Sequence, residues 1–415
     1  MSALVVRNAT LSGKPADELF DVTCADGAVV SVEPVAEMST TDPATPDAAI
    51  LEADGGLLLP AAAEPHAHLD KVLTADLVAN PVGDLENAIS SWIAAYGDRS
   101  RSEMIERAER VLRRMVLSGY SAVRTHADCG AGIELLSIET LIELREKWKP
   151  LIDIQVCALV SPPVIDDEGA NARRRLARAI ELGIDVVGGV PYAEKDPRRA
   201  TALLLDQAGD AGIGVDFHTD ETLDPSVLSL VDLAELAVDF PHSVTASHCC
   251  SLGVQSKEQQ AEVSAMVAEA GVGVVALPQT NLFLQSRGEP HPLRGITAIG
   301  ALRDAGARLC AGADNVQDPF NSMGRVDPCE VASLMVTAGH VEAENAWELV
   351  STASRDVLGL AIAGPAKGAV ADMVLLPAGN QRSVIADGSP ERTIIRSGQV
   401  VAQTTVSVRS MTELL

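Results

Sequence analysis

The sequence predicts an α/β protein, a (β/α)8 TIM barrel carrying a small β-sandwich domain formed from its N- and C-terminal segments. Three observations predict it. Between residues 57 and 364, eight apolar, strand-like runs alternate with segments of helical period, the alternation that builds a parallel barrel. Residues 1–56 and 365–415 hold short β-rich runs broken by Gly, Pro, Asn and Asp, too little chain at either end to fold alone. Apolar residues make up 47 % of the chain but aromatics only 3 %, so the core is built from Ala, Val, Leu and Ile, as strands buried on both faces require.

In chain order, Ala3–Val6, Leu19–Thr23 and Ala28–Val32 read as strands of a small antiparallel sheet, and the Pro-, Thr- and Asp-rich stretch 38–48 reads as a loop. The first barrel strand is the run from Leu57 that ends in Glu64-Pro65-His66-Ala67-His68-Leu69-Asp70-Lys71. Glu103–Leu117 then places apolar residues at 104, 105, 108, 111, 112, 115 and 116, one face of a helix. Further strands follow at Ser121–His126, Ile152–Val160, Ile184–Val190, Gly214–His218, Ser243–His248, Val272–Pro278 and Arg308–Asp314, each succeeded by a helical segment. Asp372–Leu376, Arg392–Arg396 and Gln399–Ser407 return to short strands. They are expected to pair with the N-terminal ones, giving a composite β domain (1–56 with 365–415) beside a catalytic barrel (57–364).

The net charge of −26 repels phosphate backbones and anionic lipid, which argues against nucleic acid or a membrane surface as partner and leaves a small molecule. Seven cysteines, an odd number without Cys-x-x-Cys spacing, fit a reducing cytoplasm better than a disulfide framework or a Cys-ligated zinc. The N-terminus has no basic segment leading into an apolar core. A cytoplasmic protein is expected.

Barrel active sites lie at the C-terminal strand ends, so the residues that close each strand are informative. Strand one ends in His66 and His68, which alternation sends to one face and allows to grip one ion. Strand five ends in Phe217-His218-Thr219-Asp220-Glu221, strand six in Thr245-Ala246-Ser247-His248 and strand eight in Ala313-Asp314-Asn315. Four of the eight histidines in the chain fall at these ends. Three neutral imidazoles and one carboxylate leave a coordination position for water, as a catalytic metal requires.

With Glu64-Pro65-His66-Ala67-His68-Leu69-Asp70, Val123-Arg124-Thr125-His126, Phe217-His218-Thr219-Asp220-Glu221, Thr245-Ala246-Ser247-His248, Asn281-Leu282-Phe283-Leu284-Gln285 and Asp314-Asn315-Val316-Gln317-Asp318-Pro319, the chain resembles the amidohydrolase superfamily, in its cytosine deaminase-like branch. The resemblance implies a single divalent metal, Zn²⁺ or Fe²⁺, held by His66, His68, His218 and Asp314. It implies that Glu221 carries a proton to the ring nitrogen and leaving amine, that His248 orients the attacking oxygen, and that Asp314 can accept a proton as well as ligate. Strand four, Asp185-Val186-Val187-Gly188-Gly189-Val190-Pro191, lacks the lysine with which ring-opening relatives bridge two metals, which favours one metal and deamination. Oligomers are common among such proteins, and a homo-oligomer is expected.

The substrate is expected to be a cytosine-like pyrimidine or a related triazine or purine ring. Cytosine deaminases carry a glutamine where this chain has Ser161-Pro162-Pro163, an acid where Asn315 stands, and a tryptophan at the position of Phe320. Lys71 resembles the lysine of relatives that act on triazines. Candidate substrate contacts are therefore Lys71, Ser161, Gln285, Asn315 and Phe320. The alternatives are hydrolysis of a cyclic amide, removal of an alkylamine, and a metal-binding scaffold without turnover, which has no use for Glu221. Plain structural readings stand beside these: a salt bridge from Lys71 to Glu64 or Asp70, a loop-capping Asp70, buried amides for Asn281 and Gln285, a supporting role for His126, and buried thiols for Cys249 and Cys250.

Overall fold

The computed structural model describes residues 3–15, 17–35 and 48–409. All but the last residue of the loop expected over 38–48 lies outside them. The contacts divide the chain into two units, one of residues 1–62, 115–121 and 361–415, the other of residues 63–114 and 122–360.

The larger unit is an eight-stranded parallel barrel ordered as in sequence: β6 (Ala62–Ala67), β7 (Tyr120–Cys129), β8 (Asp153–Val160), β9 (Val186–Gly189), β10 (Gly214–Thr219), β11 (Val244–His248), β12 (Gly273–Ala276) and β13 (Arg308–Ala311). Barrel strands are covered on both faces, which is why all ten residues of β7 and all six of β10 are buried. The helix Arg101–Ser118 turns Met104, Ala108, Val111, Leu112 and Met115 inward at the period read from the sequence, each fully buried. The helix Ala170–Leu182 ends on Gly183, whose φ of 89° reverses the chain into β9 without the Cβ clash of another residue.

Closure of the barrel sets up the site. Ala67, at the end of β6, bridges Asp314, just past β13, and the Asp314 N–H donates to the His66 carbonyl at 3.1 Å. Glu64 staples the same seam: its carboxylate accepts the Ala313 N–H at 3.0 Å on each oxygen. Glycine at 312 leaves room for this staple, because a Cβ there would lie 2.2 Å from Glu64 Oε1 and displace the carboxylate. Two ends of the barrel sequence are thereby locked together at the point where the first and last candidate ligands emerge.

The smaller unit joins both chain ends. Its hydrogen-bonded path is β16 (Gln399–Thr404), β15 (Arg392–Arg396), β14 (Met373–Ala378), β5 (Gly56–Pro60), β1 (Leu4–Leu11), β2 (Phe20–Ala25) and β3 (Ala28–Pro34), with β4 (Ala49–Glu52) also on β1. Leu4, Val6, Phe20 and Val22 share one core with Leu58, Met373 and Ile395. The apolar run from Leu57 to the histidines, read as one strand, is two: Leu57–Leu59 pair with Leu376–Val374 of β14, and the barrel strand begins only at Ala62. Pairing on both edges holds β5 in the small sheet, so the division falls after residue 62 rather than after 56. No helix among the described residues is long and apolar enough to cross a membrane.

Candidate active site

His66 on β6, His68 just past it, His218 on β10 and Asp314 past β13 converge at the C-terminal mouth of the barrel. His68 Nε2 lies 3.3 Å from both His218 Nε2 and Asp314 Oδ1, and His66 Nε2 lies 3.8 Å from Asp314 Oδ1. All four side chains are buried. Burial above all, then the neighbouring His126 for His66 and His218 and the Lys71 ammonium for His68, holds the three imidazoles well below the usual histidine range, so they are neutral and can donate lone pairs. Burial and the neighbouring carboxylates push Asp314 well above its usual range.

Two features fit this donor set to a divalent cation. Asp314 Oδ1, Asp314 Oδ2 and His66 Nε2 are buried without a hydrogen-bond partner among the described residues, a costly arrangement that a cation relieves. The layer beneath also sets the tautomer. Ser247 Oγ donates to Asp216 Oδ1 at 2.8 Å and lies 2.9 Å from His66 Nδ1, which assigns the His66 proton to Nδ1 and leaves Nε2 with a bare lone pair facing the cluster. Asp216 is itself satisfied by Arg124 Nη1 at 2.8 Å. Burial works to raise the Asp216 carboxyl, but His126 and Arg124 together hold it below the usual range. His126 stacks on His66 with ring centroids 3.9 Å apart and lies 3.6 Å from Asp216, a supporting position.

Glu221 and His248 stand beside this cluster. His248 Nδ1 lies 3.4 Å from Glu221 Oε1 and 3.0 Å from Asn281 Nδ2. His248 and Asp314 sit in the left-handed backbone region, with φ of 72° and 69°, strain that recurs where strand ends aim functional side chains. Burial pushes the Glu221 carboxyl up to about 8. In the metal-free protein, carboxyl ¹³C NMR is expected to show Glu221 neutral below this pH and ionised above it. Since the folded value exceeds the ordinary 4.5, its contribution to stability is complete below pH 4.5 and is lost as pH rises through about 8. Loading a dication favours the ionised form and moves the midpoint down. A midpoint that stays put or rises on loading contradicts this.

His68, His218, Asp314, Glu221 and His248 open into one cavity of about 330 Å³, which Lys71, Ser161, Asn315 and Phe320 also line. Gln285 is not in that lining: its Nε2 donates at 3.2 Å to the Glu221 carbonyl, holding the backbone that carries the acid. Asn315 Nδ2 donates to Asp318 Oδ2 at 2.9 Å. Lys71 is buried with its Nζ 3.0 Å from Asp128 Oδ1, 3.3 Å from Asp70 Oδ1 and 3.2 Å from His68 Nδ1. Burial works to neutralise this ammonium, and Asp128 and Asp70 overcome it, keeping Lys71 charged. Trp92 Nε1 and Tyr96 Oη donate to the other Asp128 oxygen, at 2.5 and 3.2 Å.

Asp128, Trp92, Tyr96 and Tyr192 were not anticipated from the sequence. Asp128 carried a usable signal, since it lies two residues beyond His126 on the same strand and so shares its face. Asp128→Ala is expected to lower stability by about 3 kcal/mol in urea unfolding, because it removes one of two carboxylates from a buried ammonium. Asp128→Asn is expected to recover part of that loss by restoring a hydrogen-bonding oxygen. A neutral Asp128→Ala contradicts the pairing.

Comparison with known proteins places this geometry. A model described as "Amidohydrolase family" matches residues 86–402. The pterin deaminase of Rhizobium rhizogenes is 32% identical over 409 residues, covering 94% of this chain and 90% of that one. The crystal structure of 5-methylcytosine deaminase from Klebsiella pneumoniae, liganded with 5-fluorocytosine, superposes with a TM-score of 0.89 at 28% identity, over 98% of this chain and 99% of that one. That of N-isopropylammelide isopropylaminohydrolase from Burkholderia multivorans gives 0.83 at 25% identity, over 97% and 99%.

Proposed function

The chain belongs to the amidohydrolase family, and from that premise we propose that it is a metal-dependent hydrolytic deaminase of an amino-substituted N-heterocycle, releasing ammonia. The observation that carries the reading is that three of the four donors (His68, His218 and Asp314), a buried carboxylic acid and the His248 imidazole line one cavity of about 330 Å³, with His66 packed directly against them. Neither a scaffold nor a sensor needs Glu221 there.

His66, His68, His218 and Asp314 are the proposed ligands, and the metal is proposed to be Zn²⁺ or Fe²⁺, both of which suit imidazole ligands. A divalent cation so held supplies Lewis acidity and a water acidic enough to react near neutral pH. The protein supplies the proton handling. Glu221, buried beside the donor cluster and ionised more readily once a dication is bound, takes a proton at its carboxylate and delivers it to the ring nitrogen and departing amine. Asn281, with its amide donating to His248 Nδ1, assigns the imidazole proton to Nε2, a buried nitrogen without a protein partner that can hydrogen-bond the attacking oxygen. Lys71 presents fixed positive charge to an electron-rich ring edge. Trp92, held by Asp128, and Phe320 lie with ring centroids 5.7 and 5.9 Å from Lys71 Nζ, and supply flat walls for a planar ring.

The test is ammonia release by metal-reconstituted protein across aminopyrimidines, aminotriazines, aminopurines and aminopterins. One equivalent of ammonia per ring turned over is expected for at least one class. The likeness to an isopropylaminohydrolase favours a second reading, loss of an alkylamine, and amine analysis on N-isopropylated rings separates the two. Ring opening with all nitrogen retained in one product overturns both.

A further inference from the structure

The catalytic cavity adjoins a second space. A groove of about 980 Å³ shares Leu85, Ile89, Tyr192, Ala193 and Glu221 with it, so the two border one another at a shared wall, the neck, beside the proposed proton carrier. One side of the neck is the helix Leu85–Ala94, capped by Asp84 accepting the Asn87 N–H at 2.8 Å. That helix turns Leu85, Ile89, Trp92 and Ile93 toward the cavity at spacings of one helical face. The other side is the loop following β9.

The walls differ in chemistry along this path. At the barrel mouth the lining is imidazole, carboxylate and ammonium, whereas at the neck, apart from Glu221, it is aliphatic and aromatic. Ile89 and Ile93 remain 41% and 49% exposed although they line the catalytic cavity. Apolar side chains left half-wet on the wall of a binding cavity gain most from a ligand that covers them.

Resting on the deaminase reading, we propose that the physiological substrate is a ring bearing an apolar substituent, alkyl or aryl, on an edge away from the reacting carbon. The substituent lies against Leu85 and Ile89 of the helix and Tyr192 and Ala193 of the loop as it passes into the groove. The ring's polar edge is read at the barrel mouth, and its apolar stem is read at the neck.

Deaminated rings test this without turnover. Binding of uracil against 5-benzyluracil, and of lumazine against 6-phenyllumazine, is measured on metal-loaded protein by calorimetry and Trp92 quenching. In at least one pair the substituted ring is expected to bind about tenfold or more tightly. The ratio is expected to fall toward one in Ile89→Asn, which removes the apolar contact, and in Ala193→Trp, which fills the neck. Both positions are exposed, and circular dichroism checks that the fold is kept. A ratio near one in the parent, a ratio that persists in both variants, or no detectable binding by either pair overturns the proposal. A ratio that collapses as expected while no ring releases ammonia refutes the deaminase reading and leaves the apolar neck standing. Ammonia release without the ratio does the reverse.

Discussion

Glu221→Gln is expected to keep a full complement of metal and to lose about a thousandfold in turnover. The substitution conserves shape, and the hydrogen bond from Gln285 goes to the Glu221 main-chain oxygen, so the backbone stays anchored. What disappears is the ability to take up and release a proton. The loss is expected in kcat and kcat/KM together, because the missing interaction belongs to the transition state. Metal analysis beside steady-state kinetics checks both halves. A variant within tenfold of the parent removes Glu221 from proton transfer, and a variant that loses metal shows that the carboxylate holds the ion as well.

His218→Ala is expected to abolish metal retention, with less than about a tenth of an equivalent left after dialysis and activity at background. The imidazole sits 3.3 Å from His68 Nε2, and without it the remaining donors come only from the seam between β6 and β13. Ligand binding also stabilises the folded state, by about 4 kcal/mol at a thousandfold excess over Kd. The parent is therefore expected to melt higher on addition of Zn²⁺, or of Fe²⁺ without oxygen, and His218→Ala is expected not to respond. His126→Gln provides the contrast. Although His126 groups with His66 and Asp216 at ligand-like distances, Asp216 is already paired with Arg124, and this variant is expected to retain metal. Retention by His218→Ala moves the ion to another donor set.

The barrel and the gathering of the proposed ligands at one end of it were legible in the sequence for the same reason. Parallel strands covered on both faces are continuous apolar runs, and the barrel sends side chains at their C-terminal ends into one mouth. Polar residues that close such runs, among them His66, His68, His218, His248 and Asp314, are therefore near one another wherever the loops lie. Glu221 inherits its place from His218, three residues earlier.

The surroundings of the ring were not legible. Trp92 and Tyr96 belong to the segment between the first two barrel strands, and nothing in their spacing tells that both reach Asp128. Gln285, a candidate substrate contact, bonds the Glu221 backbone because of where the turn after the helix Pro278–Leu284 ends. Lys71 could be named from the sequence, but its pairing with Asp128, 57 residues on, could not.

By itself the sequence determined the alternation of strand and helix, the small domain built from both ends, and the residue types gathered at the strand ends. Those are local and periodic properties, written in which residues are apolar and at what spacing. Only the tertiary structure decided that β5 leaves the barrel for the small sheet, that Ser247 and Asp216 set the tautomer of His66, and that Leu85, Ile89, Tyr192 and Ala193 line both the cavity and the groove beside it. Each of these depends on pairings between residues far apart in the chain, whose free energy comes from burial and hydrogen bonding that exist only once the elements have packed.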